Sequence, residues 1–125
     1  MANEPKTIMI IEDDRFLSSL MKARLEKEGF AVAQAFDGEE AIGLLKQTMP
    51  AVIILDLIMP KVTGFEVLQM ISITPQLDKV PVVILSNLAQ DSDIAKAQQL
   101  GAKDYFIKVK VSIDDLITRI KALAA

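Results

Sequence analysis

The sequence contains no cysteine and no histidine in 125 residues. Without cysteine there is no disulfide framework, no thiolate nucleophile and no thiolate-held metal. Without histidine, Ser-His-Asp catalysis, imidazole-ligated zinc and imidazole general-base chemistry are excluded together. No apolar run approaches the ~20 residues of a membrane span. The opening MANEPKT lacks a signal-peptide pattern, so no membrane association is expected and a cytoplasmic location is. Positive charge is in deficit: 14 Lys and Arg stand against 17 Asp and Glu, a formal net charge of −3. No basic face is announced, which argues against direct nucleic-acid binding. Repeats, low-complexity segments and linkers are also absent.

What remains is a chain of one-domain size that is 51% hydrophobic and 25% charged, too apolar to be disordered. It can bury roughly two-thirds of its extended-chain surface. Residues 1–125 are expected to form one domain with its core at about 6–124. Short apolar runs at TIMII (7–11), AVAQAF (31–36), AVIIL (51–55), VPVVIL (80–85) and DYFI (104–107) read as strands. Their continuity, rather than alternation, suits strands covered on both faces.

Helical patterns lie between them. Leu17, Leu20, Met21 and Leu25 share one face, with Gly29 as a stop. Asp37 with Glu40 resembles a capping box, with Asp in place of the usual Ser or Thr, and opens a second helix; Thr63 with Glu66 matches one outright and opens a third. A fourth helix runs from about Ser92 to Leu100 before Gly101, and a fifth follows Ser112 as its N-cap. Five strand–helix units in strict alternation predict an α/β fold, a flavodoxin-like doubly wound (βα)5 domain with parallel strand order 2-1-3-4-5. Its ligand site is expected beyond the carboxyl ends of the strands, where the winding reverses.

The residues at those strand ends carry chemistry. Glu12, Asp13 and Asp14 follow the first run, Asp56 the third, Ser86 the fourth and Lys108 the fifth. Two carboxylates ~5 Å apart at an effective dielectric of ~20 repel by about 3 kcal/mol. Either the acids splay into water or a cation binds among them. Each residue alone has an ordinary explanation, and Asp14 is most simply a helix cap. The combination is not ordinary, because strands 1 and 3 should be neighbours and bring Asp13 to Asp56. Such an all-oxygen site suits Mg²⁺, Mn²⁺ or Ca²⁺ rather than zinc. Lys108 as a point charge and Ser86 as a donor are what a phosphoryl group beside that cation would need.

IIEDD (10–14), VIILDLIMPKVTG (52–64), VVILSN (82–87) and LGAKDYFIK (100–108) together resemble the receiver domains of two-component response regulators. The resemblance covers about residues 6–124. It implies that Asp56 accepts a phosphoryl group from a sensor histidine kinase or a histidine phosphotransfer protein. It implies Mg²⁺, with Mn²⁺ as a substitute, held by Asp13, Asp56, the backbone carbonyl of Ile58 and, through water, Glu12. Lys108 and Ser86 would meet the phosphoryl group, and Tyr105 would be the aromatic switch residue that follows Ser86. The chain would be a signalling switch that catalyses its own phosphoryl transfer and slow dephosphorylation. A helix 4–strand 5–helix 5 surface would signal to an effector, as a monomer or a phosphorylation-dependent homodimer.

Four positions depart from the family pattern. Val109 stands where proline usually follows the lysine, and a cis bond there would cost about 2.5–4 kcal/mol. Thr63 replaces an Asp, and apolar Ile58 and Leu88 flank the path of a hydrolytic water. An alternative is a receiver-like interaction scaffold that is never phosphorylated, with Val109 as its support. A flavin carrier would want a Gly/Ser/Thr-rich anion loop in place of EDDRF. A dehalogenase-type phosphohydrolase would want a second Asp at position 58.

Overall fold

The computed structural model describes residues 4–125, so the first three residues of the expected domain lie outside the described residues. Five strands and five helices alternate: β1 (Thr7–Ile11), α1 (Arg15–Lys27), β2 (Ala31–Ala35), α2 (Gly38–Leu45), β3 (Val52–Leu55), α3 (Gly64–Ser72), β4 (Val82–Ser86), α4 (Asp91–Gln99), β5 (Asp104–Ile107) and α5 (Ile113–Ala124). The sheet is parallel throughout, in the order β2-β1-β3-β4-β5. The expected (βα)5 fold and strand order are those of the structure.

Side chains alternate across the sheet with the strand period of two, and each face buries its own core. Met9, Ile11, Ile53, Leu55, Val82 and Ile84 face a layer containing Ala41 and Leu45 of α2, Leu68 and Ile71 of α3, and Ala97 of α4. Ile8, Ile10, Val52, Ile54, Val83 and Leu85 face Met21 and Leu25 of α1 and Leu116, Ile117 and Ile120 of α5. Both faces of the central strands are therefore apolar, which is why β1, β3 and β4 read as unbroken hydrophobic runs. The edge strands β2 and β5 are only half-buried over most of their length.

Local chemistry sets the helix boundaries. Asp14, Asp37, Thr63 and Ser112 each cap a helix by accepting a hydrogen bond from the third residue on, which satisfies one of the orphan donors of the first turn. Gly29 and Gly101 end α1 and α4 at φ +96° and +102°, a left-handed backbone that glycine adopts without strain. The capping boxes close differently from expectation. Glu40 reaches back past the cap to accept from the Phe36 N–H at 2.7 Å, and Glu66 accepts from the Thr63 hydroxyl at 3.3 Å.

Two details of the sequence-based pattern are corrected. Leu20 is 43% exposed, because it lies about 100° round the helix from Met21, which points inward. Buried Ser18 takes the inward place, satisfied by the Gln34 side chain at 2.8 Å. β4 starts at Val82 instead of 80 and includes Ser86 as its last residue. Pro81 has no N–H to give the ladder, and its carbonyl accepts from Ile53.

Candidate functional site

β1 and β3 lie side by side with Ile11 opposite Leu55. The next residue on each strand is an acid, and the Asp56 N–H donates to the Ile11 carbonyl at 2.9 Å. Parallel pairing thus carries Glu12 and Asp56 to the same level at the carboxyl edge of the sheet. Both are buried, at 1% and 3% exposure, while Asp13 faces solvent. Carboxylate oxygens of Glu12, Asp13 and Asp56 lie within 4.8 Å of one another.

Lys108 closes the other side. Its ammonium donates to Glu12 Oε2 at 3.0 Å and to Asp56 Oδ2 at 3.1 Å. Every peptide bond among the described residues is trans, Lys108–Val109 included, and Lys108 reaches both acids in that state. Asp56 Oδ1 accepts from the Ile58 N–H at 3.3 Å, and Glu12 Oε2 accepts from the Asp14 N–H at 3.1 Å. Asp14 itself turns away, its side chain capping α1 through the Leu17 N–H at 3.1 Å. Glu12 Oε1 lies 2.8 Å from the Lys108 ammonium as an ion pair, and among the described residues this buried oxygen accepts no hydrogen bond.

Burial dominates the electrostatics. It pushes the Glu12 carboxyl up to about 7, against the opposing hydrogen bond from Lys108 and with added repulsion from Asp56. Lys108 loses hydration too, but its hydrogen bond to Glu12 and the charges of Asp56 and Glu12 outweigh that loss and hold its pKa above the usual lysine value. Three carboxylates against one ammonium leave a formal surplus of two negative charges.

Ser86 and Tyr105 sit behind this cluster. Ser86 is fully buried, and its Oγ accepts from the Leu88 N–H at 3.2 Å. The Tyr105 hydroxyl donates to the Leu88 carbonyl at 2.7 Å. Burial and the nearby Asp93 and Asp56 charges raise the Tyr105 pKa. The two side chains therefore hold one residue, Leu88, by its N–H and its carbonyl, but among the described residues neither hydrogen-bonds Asp56 or Lys108. Asp13, Asp56, Glu12 and Lys108 are brought together; Ser86 and Tyr105 are joined to each other through Leu88.

One positioning residue was not legible as such. A Cβ on Gly64 would come within 2.1 Å of the Asp56 carbonyl oxygen and 2.5 Å of Leu57 Cα. Only glycine lets the start of α3 press onto the Asp56–Leu57 backbone, where the Gly64 N–H donates to the Leu57 carbonyl at 3.0 Å. Its signal in the sequence, a glycine at the first position of a capped helix, says nothing about this long-range contact.

An acidic cluster with an opposed lysine, at the winding reversal of a five-stranded parallel sheet, is the arrangement of a receiver domain. Residues 8–121 match the family model described as the response regulator receiver domain, and the chain belongs to that family. It is a receiver domain of two-component response regulators, a signalling switch rather than a classical enzyme. The protein named "Uncharacterized transcriptional regulatory protein YcbL" from Bacillus subtilis (strain 168) is 39% identical over 116 residues, 91% of this chain and 49% of that protein. This chain spans about half the length of the curated relatives it matches. Two solved structures are similar throughout. One is the phosphorylated cyanobacterial phytochrome response regulator RcpA, at 30% identity and TM-score 0.83, covering 96% of this chain and 91% of that one. The other is the Mn²⁺-bound form of response regulator Rcp1, at 29% identity and TM-score 0.82, covering 95% and 91%.

Receiver domains bind Mg²⁺ at an acidic cluster, and Glu12, Asp13 and Asp56 form such a cluster here. The residues fit a hard divalent cation on three counts. The donors are all oxygen, the charge surplus matches a 2+ ion, and among the described residues the buried Glu12 Oε1 accepts no hydrogen bond. Among the described residues no helix is long and apolar enough to cross a membrane.

Proposed function

We propose that Asp56 is the phosphoacceptor, taking a phosphoryl group from a phosphohistidine of a sensor histidine kinase or histidine phosphotransfer protein. The observation that carries this is the placement of the Lys108 ammonium 3.1 Å from the buried Asp56 carboxylate, with the Glu12 and Asp13 oxygens alongside. A carboxylate oxygen of Asp56 attacks phosphorus as the P–N bond breaks. The bonding pair goes to the imidazole nitrogen of the donor, and the new P–O bond makes an acyl phosphate.

Lys108 is already within reach of the transferring oxygens and offsets their charge, so catalysis is positioning plus electrostatics. Asp13, Asp56 and the Ile58 carbonyl would hold Mg²⁺ or Mn²⁺ directly, and Glu12 through water. When bound, the ion would neutralise charge on the phosphoryl oxygens.

The acyl phosphate adds about −1.5 to −2 charge and three acceptor oxygens. Ser86 leaves the Leu88 N–H to donate to one of them. Tyr105 responds because it holds the same residue by the Leu88 carbonyl. The α4-β5-α5 face then passes the change to a downstream effector, from a monomer or a phosphorylation-dependent homodimer, in the cytoplasm. Ile58 is 56% exposed and Leu88 half-buried, and neither side chain offers a hydrolytic water a hydrogen bond, so the acyl phosphate is long-lived. The solved relatives named as phosphorylated and as Mn²⁺-bound support both halves of this assignment. The scaffold alternative loses its main support, because Val109 does not keep Lys108 from the acids.

The test is transfer of ³²P from a phosphohistidine donor to wild type and to Asp56→Asn. Label is expected on wild type only. Equal label on Asp56→Asn would contradict the assignment.

A further inference from the structure

Lys108 follows β5 and sits in a turn, so the turn must be held for its ammonium to stay on Asp56. Three of that turn's backbone donors are satisfied by backbone: Lys108 N–H by the Ser86 carbonyl at 3.0 Å, and Lys110 and Val111 N–H by the Ile107 carbonyl at 2.9 and 3.0 Å. The fourth, Val109 N–H, donates to the side-chain Oδ1 of Asn87 at 3.3 Å. Val109 is 80% exposed, so side-chain packing does not anchor this peptide.

We propose that Asn87 is a positioning residue for Lys108: it adds one side-chain rung beyond the end of the β4–β5 ladder and pins the peptide following the lysine to the loop following Ser86. This role rests on Asp56 being the phosphoacceptor.

The placement has a second consequence. Asn87 lies between Ser86, whose hydroxyl holds the Leu88 N–H, and Leu88, whose carbonyl is held by Tyr105. The two loops that would grip a phosphoryl group are thereby tied together. A turn of Ser86 toward the phosphoryl group is transmitted through Asn87 to the backbone beside Lys108. The bond is exposed to water, so it adds little to global stability. Its effect is local, on where a long flexible side chain ends.

The test uses the full chain with phosphoramidate as donor and Mg²⁺ present. Maximal rates of Asp56 phosphorylation are compared for wild type, N87A, N87D, K108A and N87A/K108A. N87A is expected to lower the maximal rate about tenfold, within the hundredfold that a 1 Å misplacement can cost, with the half-saturating donor concentration unchanged. N87D keeps an acceptor oxygen and is expected to restore most of the rate. In the K108A background, N87A is expected to cost nothing further. Amide hydrogen exchange at Val109 in the metal-free protein reads the bond without any activity: faster in N87A, restored in N87D. A normal rate for N87A, an equal loss in the K108A background, or unchanged Val109 exchange would each overturn the positioning role alone. A wild type that takes no phosphate on Asp56 would overturn the function itself, and this role with it.

Discussion

Burial makes the Glu12 charge costly, and that cost is measurable without any phosphate. Its carboxyl ordinarily titrates near 4.5 and is pushed up to about 7 in the folded protein. A carboxyl raised on folding favours the folded state while protonated. That contribution is full below the unfolded pKa and is lost as pH rises through the folded one. At 1.36 kcal/mol per pKa unit the full loss is about 3 kcal/mol, most of it between pH 5 and 8. Lys108 does not interfere, because its raised pKa keeps it charged across that window. Glu28 and Asp37 have lowered pKa values and titrate below it. The assay is urea denaturation of metal-free protein at several pH values, for wild type and Glu12→Gln. Wild type is expected to lose stability steadily from pH 5 to 8, and Glu12→Gln to be nearly flat. Mg²⁺ at pH 8 is expected to restore about 2.7 kcal/mol at a hundredfold excess over its dissociation constant. A flat wild-type profile, or the same slope in both proteins, would refute the assignment of burial as the dominant force on Glu12.

Three further perturbations separate the roles of neighbouring residues. Asp14→Ala is expected to cost about 1 kcal/mol through loss of the α1 cap and to leave Mg²⁺ affinity unchanged by calorimetry; a large fall in affinity would make Asp14 a ligand. Gly64→Ala places a methyl within 2.1 Å of the Asp56 carbonyl, and is expected to cost about 1–3 kcal/mol and to slow phosphorylation by displacing the Asp56 backbone. An alanine variant with wild-type melting temperature and rate would contradict that close approach. Ile58→Asn with Leu88→Glu gives a water its missing partners, and is expected to shorten the acyl-phosphate lifetime roughly tenfold or more; an unchanged lifetime would remove those two side chains from the explanation.

The parts of the fold governed by short-range chemistry were legible in the chain. β1 and β5 fall at 7–11 and 104–107 as read from their apolar runs, and Asp37, Thr63 and Ser112 cap the helices they were expected to open. Strand order followed from strict alternation, and with it the meeting of acids 43 or 44 positions apart, because neighbouring parallel strands end together. What was not legible depends on packing between distant segments. The inward face of α1 is centred on Ser18, Met21 and Leu25, and helical spacing alone could not choose it over the Leu17–Leu20 side. Ser86 belongs to β4 because the sheet partner β5 extends the ladder to it. The Gly64 contact with Asp56 and the Asn87 bond to Val109 join residues 8 and 22 positions apart. No local pattern encodes either.

The decisive measurement is the identity of the modified side chain. The 125-residue chain is incubated with phosphoramidate and Mg²⁺, reduced with borohydride, and mapped by peptide mass spectrometry, since reduction of an aspartyl phosphate leaves homoserine. Homoserine at position 56, absent without Mg²⁺ and sharply reduced in Lys108→Ala, is the expected result. Homoserine at another acid, or none at all from protein shown to be folded, would contradict Asp56 as the phosphoacceptor.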